Sequence, residues 1–194
     1  MSALTVDREP EQSWDEIVRF WEEMDRPEGS RVEIIEGLVT VTPSPANRHN
    51  FIAEVIQRWL YTVSPEDCGV YQTQALAIPS RLGLYVPDLL VMPRALTDSP
   101  GNVAPAGLAE LVVEITSRAN ARHDRISKAA GYAAACIPLY LLVDRWAPDG
   151  PAITLYGDPK GDVYRTLHTA KFGDPVALPE PFGATLDTKE FPTD

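Results

Sequence analysis

Three apolar, β-rich runs follow one another with no helical segment between them: VYQTQALAI (70–78), GLYVPDLLVM (83–92) and AELVVEIT (109–116). A helical pattern stands on either side of them. From Asn47 to about Val63, Phe51, Val55 and Trp59 form one row and Ile52, Ile56 and Leu60 the adjacent row, a broad apolar face at helical spacing. From roughly Ala121 to Ala135, Ile126, Ala130, Ala133 and Ala134 mark the apolar side of a second helix, and CIPLYLLVDR then reads as a strongly apolar strand. Helix, three strands, helix, strand is an order that predicts an α/β (α+β) fold, a mixed central sheet flanked by helices. No glycine-rich loop follows any of these strands, so the phosphate-loop and dinucleotide-binding versions of such a sheet lack their key feature.

The flanks add smaller units. Ser13 with Glu16 three residues later makes a capping box, and Trp14, Ile17, Val18, Trp21 and Met24 repeat at helical spacing, so a helix is expected from Ser13 to about Asp25. RVEIIEGLVTVTPSP reads as a hairpin turning at Glu36-Gly37, and PAITLYG with DVYRTLHTA reads as a closing hairpin. PRALTDSPGNVAPAG is expected as an exposed loop. The expected organisation is a helical arm over 1–29 and one domain over 30–194, whose proline-rich end packs as an irregular wrap from about 170.

Composition narrows the function classes. No apolar run approaches the ~20 residues of a membrane helix, and the acidic start lacks the basic and apolar stretches of a signal peptide. Cys68 and Cys136 are too few for a disulfide framework or a zinc site and read as reduced, structural thiols, so a cytoplasmic location is expected. The net charge of −11 argues against a general nucleic-acid coat. It leaves open a nuclease whose cleft alone is basic, or one that relies on a metal.

Three charged residues sit where a purely structural reading finds them awkward. Asp88 interrupts the apolar run LYVPDLLVMP directly behind Pro87, Glu114 ends the apolar LVVEIT, and Lys128 lies inside the second helix. A carboxylate in such a strand costs several kcal/mol of hydration unless a partner offsets it. If strands 83–92 and 109–116 are neighbours, Asp88 and Glu114 converge, and two hard carboxylates at one point suit Mg²⁺ or Mn²⁺. A bound cation of that kind activates water and neutralises phosphoryl charge, and a lysine beside it stabilises the transition state. Simpler readings exist for each: an ion pair of Asp88 with Arg81 or Arg94, a solvated Glu114 at a strand end, and an i,i+4 pair of Lys128 with Asp124 on an exposed helix face.

VPDLLV, LVVEITS and RHDRISKAAGYAAACIPLYLLVD, with RVEIIEGLVTVTPSPANRHNFI upstream and LPEPFGATLDT downstream, resemble the Uma-type family of restriction-endonuclease-like proteins, a bacterial branch of the PD-(D/E)XK nuclease superfamily. The resemblance spans roughly residues 30–190. It implies an αβββαβ core whose site is Asp88, Glu114 and Lys128, with Mg²⁺ (or Mn²⁺) on Asp88 and Glu114 and DNA as substrate. The superfamily's usual lysine, two residues after the second acid, is Thr116 here, and in this branch the lysine moves to the following helix. Accessory candidates are Glu36 in the hairpin turn, His49 at a position where the family commonly has a histidine, Gln74 on a polar strand face shared with Gln72, and Tyr132 one turn after Lys128. His123 and His168 read as surface residues, and Trp14, Trp21 and Trp59 as core or interface residues.

The leading expectation is therefore an endodeoxyribonuclease that hydrolyses phosphodiester bonds with a metal-activated water. Thr116 and the charge of −11 favour an alternative, a catalytically silent nuclease-fold binding protein. A homodimer, with the 13–25 helix docked on a second subunit, is a third expectation.

Overall fold

Local signals at both ends of a segment decide where the elements begin and stop. In this computed structural model, which describes residues 13–25, 27–98 and 101–193, helix α1 spans Trp14–Glu23 behind the expected capping box of Ser13 and Glu16. Strands β1 (Arg31–Ile35) and β2 (Leu38–Thr42) form the expected hairpin; Glu36 and Gly37 both take positive φ, 51° and 80°, as a tight two-residue turn requires. Helix α2 covers Asn47–Val63 and buries the Ile52, Ile56, Leu60 row, whereas Phe51 stays 44% exposed. The parts of the expected arm and wrap at residues 1–12, 26 and 194, and residues 99 and 100 of the expected loop, lie outside the described residues.

The first two apolar runs do not form single strands. Residues 70–78 fall into β3 (Cys68–Tyr71) and β4 (Ala75–Ile78), and residues 83–92 into β5 (Gly83–Tyr85) and β6 (Leu89–Pro93). Each break is a change of sheet. Thr73 adopts φ 56° at the first, and Pro87, which has no N–H to give to a ladder, stands at the second. The expected exposed loop contains a strand, β7 (Val103–Pro105), with Ala104 and Ala106 buried, because it adds a parallel edge to β4. The chain continues through β8 (Leu111–Ile115), β9 (Leu139–Asp144), β10 (Ala152–Lys160), β11 (Val163–Lys171), β12 (Val176–Ala177) and β13 (Thr185–Leu186).

One mixed sheet has the order β2-β1-β5-β4-β7 and the other β11-β10-β9-β8-β6-β3, with β8 and β9 parallel. The central strands β8 and β9 are buried on both faces, which is why they read as continuous apolar runs. One face of the larger sheet packs α2 and the C-terminal wrap, whose Val176, Leu178, Phe182, Leu186 and Phe191 are all buried. The other face, with Val112, Tyr140 and Leu142, meets the smaller sheet and the helical segment after β8.

That segment is a π-helical stretch, His123–Lys128, running directly into α3, Ala129–Ala134. The wider π turn shifts the buried face from the expected one: Ile126 is 60% exposed, while Asp124, Ser127 and Lys128 are buried. The Lys128–Asp124 pair therefore lies inside the protein, not on an exposed face. Ile17 and Trp21 of α1 are also buried in their own chain, against Val32 and Ile34 of β1, and the Trp21 indole N–H donates to the Val32 carbonyl at 2.8 Å. The Ile17–Trp21 face of that helix is thus covered within its own chain, while Phe20 stays exposed. Cys68 is buried as expected, but Cys136 is exposed; both are free thiols.

Candidate active site

The antiparallel pairing of β6 with β8 matches Leu89 to Val113, and one further step along that register places Asp88 opposite Glu114. Alternation along β8 sends Glu114 to the same side as Val112, under the π-helical segment. The sequence-predicted trio therefore comes together: the Lys128 ammonium lies 3.0 Å from Glu114 Oε1, and both side chains are fully buried.

Asp88 is held by three donors. Arg31 Nη2 reaches Oδ1 at 2.6 Å, His49 Nε2 lies 3.0 Å from Oδ2, and the Ile115 N–H donates to Oδ2 at 2.7 Å. Burial presses the Asp88 carboxyl upward, but the His49 hydrogen bond and the Arg31 charge outweigh it, holding the group down at about 2. The neutralising partner is thus Arg31, not Arg81 or Arg94. Arg31 stays charged, because Asp88 and Glu114 together offset the cost of its own burial.

Glu114 is the opposite case. Burial raises its carboxyl to about 7, against the opposing pull of Lys128, and the charges of Asp88 and Glu33 push the same way as burial. Its Oε1 accepts from Lys128 and, at 2.5 Å, from the Tyr132 hydroxyl; its Oε2 is buried without a hydrogen-bond partner. Lys128 itself meets three carboxylates: Glu33 Oε1 at 2.7 Å, Glu114 Oε1 at 3.0 Å and Asp124 Oδ1 at 3.6 Å. Burial lowers the lysine, and these acids together lift it well above its ordinary value. Burial also raises Asp124, whose two oxygens have no hydrogen-bond partner.

Of the accessory candidates, His49 and Tyr132 join the site through Asp88 and Glu114. Glu36 stays at its turn, pairing with Arg81 at 3.1 Å and accepting from Ser127 Oγ at 3.2 Å. Gln74 lines the cleft described below, its amide N–H groups donating to the carbonyls of Ala75 and Asn102. Thr116 is buried, with its hydroxyl donating to Asp144 Oδ1 and accepting from the Arg145 N–H, a clip between β8 and β9. Sequence reasoning missed Glu33 and Arg31. Glu33, which also accepts from the Val86 N–H at 2.7 Å, carries the same signal as Asp88, an acid inside an apolar run, RVEII. Nothing in the sequence around Arg31 marks it.

Four buried carboxyls, Glu33, Asp88, Glu114 and Asp124, thus face two fixed cations, Arg31 and Lys128. Burial offsets that excess by raising Glu114 and Asp124 toward their neutral forms; a divalent cation would act in place of those protons, and Glu114 Oε2 is an orphaned buried oxygen able to meet it. Among the described residues no group of three or more His, Cys, Asp or Glu side chains is arranged to hold a metal ion. Asp88 and Glu114 alone would suit only an ion that takes one or two carboxylates and keeps several waters, as Mg²⁺ does. A cleft of about 910 Å³ opens on this corner, lined by Arg31, His49 and Asp88 together with Gln57, Gln72 and Gln74.

The mixed α/β architecture is the one expected of a restriction-endonuclease-like core. The chain belongs to the Uma2 family: residues 17–189 match the family profile, whose description reads "Putative restriction endonuclease". A solved structure from Anabaena variabilis, described as a "putative nuclease belonging to DUF820", superposes with a TM-score of 0.68 over 93% of this chain and 97% of its own, at 18% identity. At that identity the likeness shows the fold alone. A comparison with curated proteins finds no match. Among the described residues no helix is long and apolar enough to cross a membrane.

Proposed function

We propose that the chain is a metal-dependent endonuclease that hydrolyses DNA phosphodiester bonds, with Asp88 and Glu114 as the ligands of Mg²⁺ or Mn²⁺. The observation that carries this reading is the orphaned Oε2 of Glu114, buried among a surplus of carboxyls behind Asp88, which itself lines an open cleft. When bound, the cation supplies an activated water and charge neutralisation at the phosphoryl group.

The chain's own residues hold that arrangement ready. Arg31, His49 and the Ile115 N–H fix the Asp88 carboxylate in its charged form, and Arg31 lines the cleft where a phosphate would enter. Lys128 does not line the cleft. Its charge acts through Glu114, which it keeps aimed and helps to ionise, and Glu33 anchors the lysine from the other side. Tyr132 donates to the same Glu114 oxygen and leaves Oε2 open.

The test is supercoiled plasmid incubated with purified protein and Mg²⁺ or Mn²⁺. Nicking is expected from the wild type and lost both in EDTA and in Asp88→Ala. Cleavage that survives Asp88→Ala would assign the activity to a contaminant and overturn the reading.

One observation favours the second reading, a silent binding module: Lys128 is fully buried and paired inside the protein, with Glu33 at 2.7 Å and Glu114 at 3.0 Å and Asp124 further off at 3.6 Å. That reading predicts no metal affinity. Calorimetric titration showing Mn²⁺ binding that disappears in Glu114→Gln would exclude it.

A further inference from the structure

In a chain with 28 acidic and 17 basic residues, a cation left without an acid is the exception. Two such cations meet at one ring. The Arg118 guanidinium carbon lies 4.4 Å from the centroid of Trp146 and that of Arg145 lies 5.5 Å from it. Among the described residues neither arginine forms an ion pair, because the nearby Asp144 is spent on Arg125, at 2.6 and 2.8 Å, and on the Thr116 hydroxyl.

The backbone that carries the ring is pinned: the Trp146 main-chain N–H donates to Asp144 Oδ1, and its carbonyl accepts from Arg125 Nη2 at 2.6 Å. Within this group two donors are buried with nothing to donate to: Arg145 Nε and Trp146 Nε1. Both atoms can only donate. What is missing is therefore an acceptor, and with two guanidiniums beside it, an anionic one. Burial and the charge of Arg48 together hold Arg145 below its ordinary value, so a third cation points into the same region.

The position matters as much as the chemistry. Arg145 donates its backbone N–H to Thr116, two residues beyond Glu114. Arg48 directly precedes His49, which holds Asp88. The cluster thus sits at the same end of β8 and β9 as the two acids.

We propose that Arg118, Arg145 and Trp146 form an anchor for the DNA backbone, binding phosphodiester groups that flank the one at Asp88 and Glu114. This deepens the nuclease reading and rests on it. The guanidiniums take phosphate oxygens, and an otherwise acidic protein gains local affinity for a polyanion at the same end of β8 and β9 as the two acids.

The test is fluorescence anisotropy of a labelled duplex in EDTA, read as affinity against salt from about 50 to about 200 mM, since each phosphate contact contributes roughly 0.9 to the log–log slope. The double variant Arg118→Ala/Arg145→Ala is expected to lose about 1.8 of that slope, and Arg118→Ala alone, at an exposed side chain whose loss leaves the fold intact, about 0.9. Unchanged slopes, or a wild type that does not bind the duplex, would overturn the anchor. Inorganic phosphate that displaces the duplex at equal phosphate concentration would mark a free-anion site and overturn it as well. Mn²⁺ calorimetry on the same double variant separates the two proposals. Metal affinity that persists while the slope falls supports both; an altered slope with no metal binding in the wild type keeps the anchor and removes the nuclease.

Discussion

Glu114 and Asp88 are opposite acids set a strand apart. Folded Glu114 titrates near 7 against 4.5 for an ordinary glutamate, so the folded state binds that proton more tightly than the unfolded chain. Stability therefore falls as pH rises through that window. Asp88 is depressed from 3.8 to about 2; its contribution is present above about pH 4 and lost as pH falls toward 2. Thermal melts of the metal-free protein from pH 5 to 8 should show Tm declining with pH, and Glu114→Gln should remove most of that decline. Because a carboxylate must lose its proton to bind a cation, apparent Mn²⁺ affinity should rise by up to about tenfold per pH unit below 7 and then level off, as calorimetry would show. Lys128 stays charged across this range, its value being raised. Lys128→Met leaves three buried carboxyls without their cation, at an expected cost of about 3–5 kcal/mol in urea titrations. The cost should be greatest above pH 7 and smaller at pH 5, where Glu114 is already protonated.

At the scale of elements, the π-helical stretch is the decisive departure from the sequence pattern. Spacing alone groups Ile126 with Ala130 and Ala133; the wider turn instead carries Asp124 and Lys128 inward and leaves Ile126 outside. Nothing local in RHDRISKAAGY announces this, because what holds the turn is distant: Glu33 and Glu114 on two strands and the Tyr140 hydroxyl donating to the Asp124 carbonyl at 2.8 Å. Elements set by their own residues were legible. Helix α2, the Ser13 cap and the Glu36-Gly37 turn all stand where the sequence puts them. Asp88 and Glu114 were legible because each breaks an apolar run, and Lys128 mostly through the family resemblance, but Arg31, on a strand far away in sequence, was not. The helix lies close on β5 because of Gly131: a Cβ there would stand 2.5 Å from the buried ring of Tyr85. Gly131→Ala should cost about 1–3 kcal/mol by urea denaturation, through overpacking. By lifting the segment that carries Lys128, it should also weaken Mn²⁺ binding.

For the whole molecule, the sheet order was the part hidden from the sequence. Runs 70–78 and 83–92 read as single strands because apolar alternation continues across each break; which sheet each half joins depends on partners as separate as β1, β7 and β8. The two crossings, Gln72–Gln74 and Val86–Asp88, are only a few residues long. Neither sheet can come apart without pulling on strands of the other. Tryptophan fluorescence and far-UV circular dichroism should then report one coincident urea transition, and separate midpoints would show the sheets to be independent. The candidate site sits on one of those crossings, with the Val86 and Ile115 amides capped by Glu33 and Asp88. Those two amides are consequently reporters of the site in hydrogen exchange: their protection should track global unfolding in the wild type, and in Asp88→Ala the Ile115 amide should exchange far ahead of its strand neighbours.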